Sequence, residues 1–379
     1  MRAFWYKILT FFITKIYFRK ITLLGNTASF SKNPVLFLAL HKNGAVDGWV
    51  YSSVLPPVEV LVAAQLTKNT LLRLFFGGIE VVRDKDGVEK RGNMKALNKC
   101  VSVLENGKNL LIFPEGTSTL GPKHLEFKKG AALTIKKYLA KTESPITVIP
   151  LGIFYDDPTH MGGKVEIIAG QEIDISSRET DIIHHNITLG LESVGINVET
   201  EEELKNIQDF AAAASMHDEV SYSAAIFYTL KKYRPLPQFK GIFKYKNLYL
   251  QPKNIHTSLW TFIITAPFVI FAFVFNVFPI MVGYICGKKF PDDKNIISLW
   301  RIIPGGTAFM LWAIIVIILG KIYGILALCL SFLGFTLYGA FKKHFISIAN
   351  YFNAPGQKKI FDEIRNNAIK QINEQNFTS

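Results

Sequence analysis

Apolar residues fall in short runs separated by turn residues over the first half of the chain, and in long uncharged runs over the last third. The run from Pro34 through Val35-Leu-Phe-Leu-Ala-Leu40 is apolar without a break and stops at His41, which predicts a strand buried on both faces. Such a strand delivers the residues after it to the crevice beyond the carboxyl end of a sheet, where α/β proteins bind ligands. The pattern then alternates: a helix over 48–54, a strand over 58–63 after Pro56-Pro57, a short helix over 67–76 and a strand over 79–82. Helix 93–105 carries Met94, Leu97, Val101 and Leu104 on one face and stops at Asn106-Gly107. Strand 110–113, helix 130–140 and strands 146–154 and 164–169 complete the series. This alternation implies an α/β domain over 34–178, a mostly parallel sheet with flanking helices.

The flanks read differently. Residues 1–33 form an amphipathic, membrane-associated segment, with Phe4, Ile8, Phe11, Phe12 and Ile16 on one helical face and Trp5, Tyr6 and Tyr17 as interfacial aromatics. A helix packed on the domain core is the other reading, and the two are compatible. Lys7, Lys15 and Arg19 interrupt the apolar residues, so no signal peptide is expected. Residues 179–255 form a helical accessory region, with a strand-like piece at 194–198, a helix opened by the capping box Thr200-Glu-Glu-Glu203 and running to 214, and another over 222–233. Residues 256–345 hold the membrane segments. The charge-free runs 302–320 and 322–341 fit a hairpin turning at Gly320-Lys321, since nineteen helical residues rise about 28 Å. The earlier run, 259–286, is interrupted by Pro267, Asn276 and Pro279 and is either re-entrant or spanning. A re-entrant segment followed by a two-span hairpin keeps Lys288, Lys289, Lys342 and Lys343 on the cytoplasmic side, with 346–379 as a cytoplasmic tail.

Composition narrows the partners. A formal net charge of +13 favours an anionic partner, and because the charge surrounds apolar spans, membrane lipid is expected and nucleic acid is not. Cys100, Cys286 and Cys329 have no metal-like spacing, and His184-His185 has no partner cluster, so neither a disulfide nor a metal site is expected.

Four loops carry candidate chemistry. His41 is followed by Asp47, whose carboxylate can fold back to the imidazole; an N-cap aspartate and a plain loop histidine are the alternatives. Gly78-Ile-Glu-Val-Val-Arg83 aims a guanidinium suited to phosphate at the sheet end, unless Arg83 pairs with Asp84 or Asp86 at the surface. In Phe113-Pro-Glu-Gly-Thr-Ser118, Gly116 permits close backbone approach, and successive N–H groups with the Thr117 and Ser118 hydroxyls can cradle an anion. Glu115 suits a substrate hydroxyl or an adjacent basic residue rather than phosphate. Val148-Ile-Pro-Leu-Gly152 offers Pro150 as a groove wall, or is simply strand and turn.

In that order the four motifs HKNGAVD, GIEVVR, FPEGTS and VIPLGI resemble the glycerolipid acyltransferase superfamily, which includes lysophosphatidic acid and glycerol-3-phosphate acyltransferases. The resemblance covers roughly residues 5–175. Here five residues separate His41 from Asp47 where four are usual, a form similar to the branch containing glycerol-3-phosphate and dihydroxyacetone-phosphate acyltransferases. Ser118 stands where many members have a phosphate-holding arginine, and Lys42, Arg83, Lys128 and Lys129 are candidates to replace that charge; a solvated surface is the other reading of the last two. The resemblance implies a cytoplasm-facing integral membrane O-acyltransferase with His41 as general base and Asp47 orienting it. It implies Arg83, Glu115, Gly116, Thr117, Ser118, Lys128 and Lys129 as acceptor-binding and Pro150 as acyl-groove residues, an acyl-CoA or acyl-carrier-protein donor as partner, and no cofactor. A non-phosphorylated lysolipid acceptor and a catalytically silent lipid-binding protein are the competing readings.

Overall fold

Every residue of the central strand β2 (Val35–Ala39) is buried, and successive side chains enter opposite cores. In the computed structural model, which describes residues 8–31, 34–68, 72–82, 90–142, 144–215, 220–232, 252, 254–353 and 366, this strand lies at the middle of a seven-stranded sheet. The order is β1 (Phe18–Gly25), β7 (Gly163–Ala169), β6 (Thr147–Tyr155), β2, β5 (Asn109–Ile112), β3 (Val58–Ala63), β4 (Ile79–Val81). All neighbours pair in parallel except β6 and β7, which form an antiparallel pair. The expected α/β class with a mostly parallel sheet is therefore present.

Val35, Phe37 and Ala39 pack with Leu111, Ile149 and Leu151 against α1 (Ile8–Tyr17) and α2 (Val46–Ser52). Leu36, Leu38 and Leu40 pack on the other face against α4 (Lys90–Glu105), α5 (Gly130–Lys141) and α6 (Thr180–Ser193), with the short α3 (Leu72–Phe75) beside the first core. A third cluster joins Phe154 to α7 (Glu201–Ala214) and α8 (Tyr222–Lys232).

Several expectations change in detail. Residues 18–25, inside the segment expected to associate with the membrane, form the edge strand β1. In α1 the buried positions are Leu9, Ile13 and Tyr17, while Phe11 stacks on Phe332 and Phe12 meets Phe309 edge to face, both on the C-terminal helices. In α4 the buried stripe is Ala96, Cys100, Val101 and Leu104, and Met94 is exposed, because the helix is rotated toward the small side chains that let it approach the sheet. The expected strand at 194–198 is absent: this stretch pairs with no strand, and Val198 donates from its backbone to Pro122 O instead.

The C-terminal unit is made of α9 (Ile255–Phe275), α10 (Val277–Lys289) and α11 (Ile297–Asn353). α11 breaks at Lys321 (φ 49°), giving two antiparallel arms, 297–320 and 322–353. The arms touch closely, since a Cβ on Gly324 would come within 2.2 Å of Val316 O. α9 packs along the second arm, with Phe262 stacked on Phe341 and the Gly334 backbone against Phe268 and Ala272. α10 packs along the first arm, where Gly283 lies against Gly305 and Gly287 against Arg301. Between them, fully buried Asn276 donates to Ala272 O (2.8 Å) and to Ser331 Oγ, at a level about 15 Å short of Lys321 at 1.5 Å per residue. α9 and α10 thus enter and return beside the longer hairpin. α9 and the helix over 294–352 are long and apolar enough to cross a membrane, and Trp260, Leu319 and Tyr323 on them are exposed.

Gly78 turns into β4 at φ 151°, and a Cβ there would meet Val60 O at 2.0 Å. Gly78→Ala should cost at least about 2 kcal/mol of stability, read from denaturant unfolding of the purified domain signal; an unchanged midpoint would contradict the packing described.

Candidate active site

β2 ends at Ala39 with its parallel neighbour β5 ending beside it, while β6 runs on four residues past Leu151, the partner of Ala39, to Tyr155. The loops after β2 and β5 and the extended end of β6 share one edge of the sheet. The loop after β2 turns back through Gly44 (φ 54°) into α2, which places Asp47 in the first helical turn. Asp47 is fully buried and its Oδ2 lies 2.8 Å from His41 Nδ1. The extra residue in the loop is accommodated because two backbone N–H groups, of Lys42 and Asn43, also point at Oδ2 (2.7 Å each). The other oxygen, Oδ1, accepts from the Tyr155 hydroxyl at the end of β6. Burial, with the adjacent Asp47 charge, pushes the Tyr155 phenol well above its usual pKa, so it acts only as a donor. Asp47 is therefore not a helix cap, and no side-chain hydrogen bond caps α2.

With Asp47 accepting at Nδ1, the neutral tautomer compatible with this contact carries its proton on Nδ1 and leaves Nε2 as an acceptor. Among the described residues no hydrogen bond engages Nε2, and the ring, 14 % exposed, stacks on Phe113 at 4.3 Å. Glu115 fixes the backbone beneath it: Oε1 accepts from His41 N (2.8 Å) and Oε2 from Leu125 N (3.0 Å). Glu115, expected to take a substrate hydroxyl or to orient a basic residue, here uses one acceptor site on each oxygen to hold backbone, and each oxygen keeps a further lone pair. Thr119 N donates to His41 O (3.0 Å), closing the same loop pair.

The remaining candidates are spread around this pair. Gly116 (φ 70°) has the Lys128 side chain over it, with Cε 3.2 Å and Nζ 3.5 Å from where a Cβ would stand. Thr117 is half-buried in the same loop. Ser118 is held from outside the domain, its O and Oγ accepting from Asn295 Nδ2 at 2.6 and 2.9 Å. Lys129 is exposed and paired with Asp181 (2.7 Å). Pro150 sits in β6 level with Leu38, its ring against Gly170 and Gly190, about 10 Å below the rim where His41 stands. Arg83 lies outside the described residues. Lys42 is half-buried and its amine pKa is lowered by burial, with the Glu115 and Asp47 charges opposing that shift. Burial raises the Cys100 thiol to about 11, which keeps it protonated inside the α4 stripe. Among the described residues no group of acidic, cysteine and histidine side chains is arranged to hold a metal.

Tyr155, Phe113 and Asn43 were not singled out by pattern alone, although Tyr155 ends the apolar run of β6 where a hydroxyl must face either core or rim.

Comparisons with known proteins agree with the motif order. The family model described as Acyltransferase matches residues 20–154. A 1-acyl-sn-glycerol-3-phosphate acyltransferase of Helicobacter pylori is 34% identical over 74 residues, which cover 19% of this chain and 31% of that protein. One of Chlamydomonas reinhardtii is 25% identical over 174 residues, 44% of this chain and 46% of its own. The chain thus spans less than half the length of either relative. The crystal structure of the 1-acyl-sn-glycerophosphate (LPA) acyltransferase PlsC from Thermotoga maritima is similar at 19% identity and a TM-score of 0.37, covering 54% of this chain and 78% of that one.

Tyr155→Phe removes one of the charge-assisted bonds to Asp47 and should lower kcat about tenfold, while Asp47→Asn should lower it at least about a hundredfold. Steady-state rates of the purified variants test this; equal rates for Tyr155→Phe and the parent would remove Tyr155 from the site.

Proposed function

We propose that this protein, a member of the glycerolipid acyltransferase superfamily through residues 20–154, is a membrane O-acyltransferase acting on a glycerophosphate-type acceptor. The observation that carries the reading is the His41 imidazole, held through Nδ1 by a fully buried carboxylate and open at Nε2 on the sheet edge. In the proposed reaction Nε2 takes the proton of the acceptor hydroxyl as its oxygen attacks the carbonyl carbon of a fatty acyl thioester. The carbon–sulfur bond breaks, and the imidazolium returns the proton to the leaving thiolate. Asp47 stabilises the imidazolium without taking the proton itself. No side chain is required as a covalent nucleophile, and the buried, protonated Cys100 is unsuited to that role.

Lysophosphatidate and glycerol 3-phosphate rank first as acceptors. Lys42 supports a phosphate there, since burial that disfavours its charge is offset by an anion brought beside it, and Lys128 over Gly116 adds a second cation on the same side. Arg83, Thr117 and Lys129 remain candidates for the outer part of that site. A non-phosphorylated lysolipid is the second reading, favoured by the engagement of Ser118 with Asn295 where a phosphate-binding group is expected. The donor is an acyl-CoA or an acyl carrier protein thioester, with no cofactor.

The helical unit is proposed to lie in the bilayer, with the two arms of α11 spanning and α9–α10 re-entrant. The ends of α10 and α11 then sit with the catalytic domain on the cytoplasmic side, where Arg301 donates to Thr159 O (2.6 Å) and Lys342 lies 3.9 Å from Asp157. In a cysteine-free background, Lys288→Cys should resist an impermeant thiol reagent in intact cells, and ready labelling from outside would overturn the re-entrant arrangement.

The activity test offers acyl-CoA and acyl carrier protein thioesters to the detergent-purified protein with glycerol 3-phosphate, lysophosphatidate and neutral lysolipids. Transfer should favour a phosphomonoester and fall at least about a hundredfold in His41→Ala. Lys42→Gln should raise KM for the phosphorylated acceptor about tenfold and leave that for a neutral lysolipid unchanged. Transfer to neutral lysolipids alone would favour the second reading, and no His41-dependent transfer would favour a silent lipid-binding protein.

A further inference from the structure

We infer that the membrane unit supplies positioning residues to the catalytic loops: Asn295, in the 3-10 turn (Lys294–Ile296) that leads into α11, and Ser298, in the first turn of α11, fix the His41–Asp47 loop and its neighbours from outside. The functional consequence rests on reading His41 and Asp47 as the catalytic pair. The geometry does not. Asn43 is fully buried, and its backbone N–H is one of the two that hold Asp47 Oδ2. Its side chain faces the other way, donating to Pro158 O (3.0 Å) and, at 3.5 Å, to Ser298 Oγ. Ser298, also fully buried, donates to Pro158 O and lies 3.1 Å from the Tyr17 hydroxyl, whose single proton is shared between Ser298 Oγ and the closer Thr159 O (2.8 Å). One hydroxyl thus ties together the catalytic loop, the β6–β7 turn, the end of α1 and the first arm of α11. Burial pushes the Tyr17 phenol up to about 12, so it stays a donor in that knot.

The neighbouring positions repeat the pattern. Asn295 Nδ2 donates to Ser118 O and Oγ, holding the loop that contains Glu115. Gly44 lies against Asn295 O and Ile296, with 3.2 and 3.1 Å available to a Cβ. Arg301 Nη1 donates to Thr159 O at 2.6 Å. Positions 295, 298 and 301 are three apart, so they share one face of the helix start. That face meets three of the strand-end loops that converge on His41. These are buried polar contacts, and leaving a partner unsatisfied loosens the loop more than removing an exposed bond would. The arm that carries them is also a proposed bilayer span, so the docking of the membrane hairpin sets the orientation of the base.

The test uses the full chain in neutral-lipid nanodiscs. Ser298→Ala should lower kcat about tenfold with KM for donor and acceptor within about threefold of the parent. Tyr17→Phe should lower it less, and its effect should overlap that of Ser298→Ala only in the bond the two share, since the Tyr17 hydroxyl also lies 2.8 Å from Thr159 O. Hydrogen–deuterium exchange should rise in the peptide covering 41–47 in Ser298→Ala and in Asn295→Ala and stay unchanged in β2 and β5. That readout needs no activity: a localised rise in a protein without His41-dependent transfer supports the positioning contact while refuting the proposed reaction. Unchanged kcat with unchanged exchange, or exchange rising equally across the sheet, would each overturn the inference.

Discussion

A carboxylate with no exposed surface is the constraint on which the rest of the structure depends. Isolated in the domain interior, a buried carboxylate such as Asp47 would be costly as an anion. It is kept as an acceptor by donors from three directions: the His41 ring, the Lys42 and Asn43 backbone, and the Tyr155 hydroxyl. Each donor constrains a different part of the chain. The backbone pair needs a loop that reverses through a glycine at positive φ. The imidazole needs β2 to end where it does, and the phenol needs β6 as the direct neighbour of β2. Glu115 adds the last restraint by holding His41 at its own backbone N–H. In the proposed reaction, an imidazole fixed this way would lose little freedom when an acceptor hydroxyl arrives, which is the condition for efficient proton transfer.

The helical unit is arranged around the same edge. Its arms turn back at Lys321, and α9 and α10 turn back earlier at Asn276, so the charged ends of α10 and α11 gather beside the catalytic loops. The exposed face of these helices is apolar, while the face toward the domain carries Asn295, Ser298 and Arg301.

The local pattern was sufficient for the centre of the fold. An unbroken apolar run ending at His41 marked β2, and the alternation after it marked the parallel sheet, because burial on both faces and on one face leave different periods. The His41–Asp47 pair was legible for the same reason, both partners lying on one short loop. What could not be read locally depends on contacts between distant segments. Phe18–Gly25 was legible only as part of the 1–33 amphipathic segment, and its pairing with β7, some 140 residues away, makes it a strand. Glu115 looked like a ligand for substrate because nothing in its own loop showed that the His41 and Leu125 N–H groups would reach it. Tyr155, Asn295 and Ser298 meet the site only through sheet order and helix docking.

The most direct measurement is the protonation pattern of the His41 ring, by nitrogen NMR of ¹⁵N-histidine-labelled protein with His41→Gln used for assignment. The account predicts the neutral ring with its proton on Nδ1, a strongly downfield Nδ1–H signal, and loss of that signal in Asp47→Asn. A neutral ring protonated on Nε2, or an Nδ1 resonance indifferent to Asp47→Asn, would contradict it.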